Sequence, residues 1–145
     1  MESDRNTGLG TARLLATLIY VVPLVVFPIV GRMVKVAVLR DPEALRVLAA
    51  VLGVAAVVDY GISLFLEKKM LASARGGGAG AGNTVVTAAV VVAAFGASLA
   101  VYGLVLTILG APGWGAVMYI LCATHGLHLI IRWPRYERAI EEGPY

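Results

Sequence analysis

Residues Thr84 to Gly110 contain no charged side chain. A helix needs roughly 20 apolar residues to cross the hydrocarbon core of a bilayer, and this run exceeds that length. The rest of the chain agrees with it. Hydrophobic residues make up 59% of the sequence and charged residues 14%, against about a quarter charged in soluble domains. Mean hydropathy is +0.85. The apolar residues are gathered in blocks, which places the chain among polytopic membrane proteins.

Four blocks read as spans: Arg13–Val34, Ala44–Leu66, Thr84–Leu109 and Trp114–Ile131. The expected fold is all-α, a four-transmembrane-helix bundle of two antiparallel hairpins. The first hairpin covers residues 13–66 and the second 84–131. A Gly-rich linker, 67–83, joins them, and a basic-aromatic tail, 132–145, follows. Arg5 and Arg13 precede the first apolar run as they would in a signal peptide. GRMVKVAVL after that run offers no cleavage site, so the span is read as uncleaved. Asp41-Pro42-Glu43 has the order of a helix start, with Asp as cap and Pro at the first position. Gly110-Ala111-Pro112-Gly113 reads as a tight turn. ARGGGAGAG lacks the Lys-Ser/Thr ending of a phosphate loop and is read as a flexible connection.

Four spans put both termini on one side. That side holds Arg5, Arg13, Lys68, Lys69, Arg75, Arg132, Arg135 and Arg138, and the other Arg32, Lys35, Arg40 and Arg46. The larger basic share predicts cytoplasmic termini. The formal charge of +3 is therefore a topology signal and gives no reason to expect nucleic acid. Cys122 is the single cysteine, which excludes an internal disulfide.

The third span has an internal order. Ala89, Ala93, Gly96, Ala100, Gly103, Thr107 and Gly110 recur at alternating steps of four and three. Bulky residues Val92, Phe95, Leu99, Tyr102, Leu106 and Leu109 form a second stripe beside them. Small residues let membrane helices approach closely, because packing rather than the hydrophobic effect drives their association. Ala49, Gly53 and Ala56 on the second span are a plausible partner face. The stripe serves packing within the bundle or contact with another chain.

Within this span, AFGASLAVYGLV resembles the second helix of the proteolipid (c) subunit of rotary ATP synthases, commonly A-F-M-E-A-L-T-I-Y-G-L-V. Ala94, Phe95, Leu99, Tyr102, Gly103, Leu104 and Val105 match. The resemblance covers about a dozen residues. The family's ion-carrying Glu falls on Ala97, whose methyl group binds no proton. The dense glycine pattern of the family's first helix is also missing. Over more of its length the chain resembles a group of small bacterial four-span membrane proteins, which also end in a tail of the form RWPRYERAIEE. That resemblance implies a bacterial inner-membrane location and no particular activity.

Asp59 is the acidic residue well inside a span. It lies about 12 Å along the helix from Glu67, and His125 lies about 10 Å from Arg132. The expected polar site is Asp59 paired with His125 or with Arg13. Cys122, His125 and His128 follow at steps of three, but that spacing fans out over about a third of the helix circumference, and no metal site is read there. Ser63 and Ser98 have no evident His and Asp partners, so no hydrolase site is read, and no cofactor site is found. The expected function is that of a non-enzymatic membrane protein, a helix-packing or accessory subunit of a membrane assembly. The alternative is a small proton or ion transporter, or a c-like component, using Asp59. Expected partners are the lipid bilayer and a second copy or another membrane subunit.

Overall fold

A computed structural model of the chain describes residues 2–34, 41–75 and 81–141. These form four helices: α1 (Glu2–Met33), α2 (Pro42–Arg75), α3 (Ala81–Ile108) and α4 (Pro112–Glu141). Each is long and apolar enough to cross a membrane. The shortest, α3, has 28 residues, or about 42 Å of helix against a hydrocarbon core of about 30 Å.

The helices run past the expected spans. α2 continues through Glu67-Lys68-Lys69 to Arg75. α4 continues through Pro134 to Glu141. Glu, Lys, Met, Leu and Ala all favour helix, and the added turns still pack, with Glu67, Leu71 and Ala74 buried on α2 and Trp133, Tyr136 and Ala139 on α4. Most of the expected linker and tail therefore belongs to the bundle. Residues 76–80 of the Gly-rich connection lie outside the described residues, as do Lys35 and Arg40.

The local signals for helix ends are explicit. Asp41 Oδ1 accepts the Glu43 amide at 2.9 Å and caps α2. Gly110 has φ 97°, a left-handed conformation that favours glycine. Ala111 N donates to Leu106 O at 2.8 Å and Gly110 N to Thr107 O at 3.3 Å, the paired bonds of a Schellman motif.

α3 is the hub, touching α1, α2 and α4. In the most apolar stretch of each helix, 44% of α3 residues are buried, against 17% for α1 and α2. Its small-residue stripe is the reason. Ala89, Ala93, Gly96, Ala100 and Gly103 are buried and Thr107 is half-buried. Gly96 lies against the Tyr20 ring, and Gly103 against Gly115 and Tyr119. Gly110 leaves the stripe to cap the helix. The stripe is thus filled from within the chain by α1 and α4.

One expected pairing is not seen. α1 and α2 both touch α3 and α4, yet among the described residues they do not touch each other. They flank the α3–α4 pair from two sides. The physical reason lies in their narrow packing faces. α1 offers Ala12, Ala16, Tyr20 and Gly31 to the α3–α4 pair, and α2 offers Ala49, Ala56 and Ser63, with Gly53 half-buried. The remaining surface of both helices is valine and leucine, and much of it is exposed.

Candidate functional site

Polar side chains inside the bundle form two groups, one on either side of α2. Asp59 and Tyr60 are neighbours in sequence and face different helices.

Asp59 faces α3. Its Oδ2 accepts the Ser98 hydroxyl at 2.7 Å and the Tyr102 hydroxyl at 2.7 Å. Asp59 is half-buried and stands near the middle of α2, about 12 Å from Glu67 by helical rise. The Ser98 hydroxyl also lies 2.6 Å from the Phe95 carbonyl. Its single proton therefore serves two acceptors. Neither expected partner meets Asp59: His125 bonds Tyr20 and Ser63, and Arg13 is exposed on α1. Asp59 lies at the depth of His125, since its neighbour Tyr60 packs edge-on against the His125 ring at 4.9 Å. The rotation of α2 about its own axis turns Asp59 away from α4 and towards Ser98 and Tyr102 of α3.

Tyr60 faces α4 and opens a second group. His125 is 3% exposed and is held on both ring nitrogens. Tyr20 of α1 bonds Nδ1, and Ser63 of α2 bonds Nε2 at 2.8 Å. The Ser63 hydroxyl also lies 3.0 Å from the Tyr60 carbonyl. Tyr20 OH also lies 3.4 Å from the Val92 carbonyl; when Tyr20 gives its hydrogen to the nearer Nδ1, Nε2–H donates to Ser63 and Ser63 donates to the Tyr60 carbonyl. Ser63 does have a His partner, contrary to expectation. Among the described residues Tyr20, and no carboxylate, stands at the other ring nitrogen, and the Ser63 hydroxyl is fully buried. A hydrolytic triad instead holds its imidazole with a carboxylate and presents its hydroxyl to substrate.

The same face continues towards the basic end. Tyr60 OH and His128 Nδ1 lie 3.3 Å apart. Arg132 donates to Glu67 Oε2 at 2.6 Å, with side chains 21% and 3% exposed. Trp133 and Tyr136 stack beyond them at 5.4 Å. Among the described residues, the buried atoms Glu67 Oε1, His128 Nε2 and Tyr136 OH make no hydrogen bond of good geometry, although Tyr136 stands beside Glu67. The sequence did hold a signal for this column. Tyr60, Ser63 and Glu67 on α2 have the same three-then-four spacing as His125, His128 and Arg132 on α4. Equal spacing on two helices that run the same way aligns the two sets: Tyr60 meets His125 and His128, Ser63 meets His125, and Glu67 meets Arg132.

Arg13 lies apart from both groups. It is exposed and sits at the mouth of a groove between α1 and α4. Cys122 is buried and free. Among the described residues, no three His, Cys, Asp or Glu side chains converge as metal ligands would. Comparison with known protein families, with curated proteins and with solved structures finds no match to the chain.

Proposed function

We propose that the chain is a non-enzymatic integral membrane protein that takes up and releases a proton at Asp59. In this reading it sits in a bacterial inner membrane. Both termini face the cytoplasm, on the side where Lys68, Lys69, Arg75, Arg135 and Arg138 gather.

One observation carries the reading: Asp59 stands deep in an apolar helix with hydroxyls, and no cation, as its partners. A charge at such depth is expensive, and intramembrane carboxylates mark ion and proton routes. The Ser98–Tyr102 cradle suits both forms of the acid. Ionised, Oδ2 accepts from both hydroxyls. Protonated there, it donates to Ser98 Oγ, which turns its own O–H to donate to the Phe95 carbonyl at 2.6 Å. The exchange requires hydroxyl rotation and no rearrangement of helices. Ser98 also adjoins Ala97. The likeness to the proteolipid helix lacks a carboxylate at Ala97, and α2 brings one to the next residue. Infrared difference spectra across a pH step test the assignment. A protonated-carboxyl band that disappears in Asp59→Asn supports it, and an unchanged band contradicts it.

A second reading, an accessory subunit of a larger membrane assembly, is supported by the outer face of α2. Val47, Val51, Val54, Val58 and Phe65 are all exposed there. This reading cannot use the α3 stripe, because Gly96, Ala100 and Gly103 are buried within the chain. Native electrophoresis of mildly solubilised membranes checks it. The 15.2 kDa chain should migrate in a larger complex, and migration as a monomer would count against it.

A further inference from the structure

The groove between α1 and α4 has features that no helix packing explains. It has a volume of about 310 Å³ and an almost wholly apolar wall. It runs from Arg13 and Trp133 at one end to Leu24 and Ala123 at the other, about 15 Å by helical rise. Tyr20 and Gly126 form part of its floor. Gly126 carries no side chain, and the Tyr20 ring turns inward to reach His125. Between them they leave the groove open to the outside of the bundle.

The two ends differ in chemistry. The deep end is hydrocarbon. The mouth carries the Arg13 guanidinium, which is exposed and has no carboxylate partner among the described residues. Beside it lies the Trp133 indole, an amphipathic ring of the kind enriched at headgroup level. Arg132, one residue away, is already committed to Glu67. The mouth therefore offers one unspent positive charge above an apolar slot.

We propose that this groove is a binding site for one anionic phospholipid. An acyl chain lies along Leu24, Gly126 and Ala123, and the phosphate meets Arg13. A lipid matches both ends at once. Basic recesses between membrane helices on the cytoplasmic side are suited to anionic headgroups. Because Tyr20 belongs both to the groove wall and to the His125 network, an occupied groove also braces that network.

The inference rests on the reading of the chain as membrane-embedded, and the test separates the two. The full chain carrying Trp114→Phe is incorporated into nanodiscs, so that Trp133 is the sole reporter. Its fluorescence is quenched with brominated phosphatidylglycerol or brominated phosphatidylcholine at equal mole fraction. Failure to enter nanodiscs would sink the membrane reading itself. Given incorporation, phosphatidylglycerol should reach half-maximal quenching at about one-fifth the mole fraction of phosphatidylcholine, as expected for one arginine at a membrane surface. Arg13→Gln should abolish that preference, while Lys69→Gln keeps it. Ala123→Phe, which fills the groove from an exposed position, should weaken quenching by both lipids. Equal quenching by the two lipids, or an undiminished preference in Arg13→Gln, would overturn the proposal.

Discussion

Glu67 on α2 and Arg132 on α4 meet at 2.6 Å at the level where both helices leave the apolar zone. Glu67 is nearly sealed from solvent, and among the described residues its second oxygen makes no hydrogen bond of good geometry. Arg132→Ala strands a buried carboxylate and should cost about 3 kcal/mol, the lower end for breaking such a pair. Glu67→Gln with Arg132→Gln together should cost less than the sum of the two single changes, because the stranded charge is gone. Loss of helical signal during denaturant titration in micelles measures both. Additive losses would mean that the two side chains act independently.

Glycines on different faces should respond in opposite ways. A Cβ at Gly96 would overlap the Tyr20 ring, so Gly96→Ala should destabilise by about 1–3 kcal/mol through overpacking. Gly53 and Gly61 meet nothing within 4 Å. Gly53→Ala and Gly61→Ala should be neutral or stabilise by up to about 1 kcal/mol through helix propensity. The same unfolding assay separates them, and equal losses at all three would contradict the packing described for α3.

Gly96 also shows how far the sequence could be read. The alternating four-three steps of small residues gave the buried face of α3, because small side chains at that period must meet another helix. The cap at Asp41 and the turn at Gly110-Ala111-Pro112-Gly113 were equally legible, since each rests on local residues; that Gly110 also caps α3 was not. Helix ends were not. Glu67, Lys68 and Lys69 end an apolar span, but they do not end a helix, and a hydropathy reading confuses the two. The partner of Asp59 was also hidden. Depth follows from counting residues, whereas the direction a side chain takes depends on how α2 is rotated against its neighbours. The matched spacing of Tyr60, Ser63 and Glu67 with His125, His128 and Arg132 held that rotation, and it is visible only when two helices are compared.

His125 should carry its proton on Nε2, because Tyr20 supplies the hydrogen at Nδ1 and Ser63 accepts at Nε2. Nitrogen chemical shifts of the labelled imidazole report this directly. A proton on Nδ1 would reverse the order of the network. Ser63→Ala leaves the Nε2–H buried without a partner and should cost about 1–3 kcal/mol.

Proton release into the lumen of sealed vesicles tests the central claim most directly. The purified chain is reconstituted into liposomes holding a pH-sensitive dye, and a potassium diffusion potential drives proton entry. The account predicts a dye response in the unaltered chain. It predicts a reduced response in Ser98→Ala, a retained one in Asp59→Glu, and none in Asp59→Asn. A full response in Asp59→Asn, with the protein folded and inserted, would contradict it.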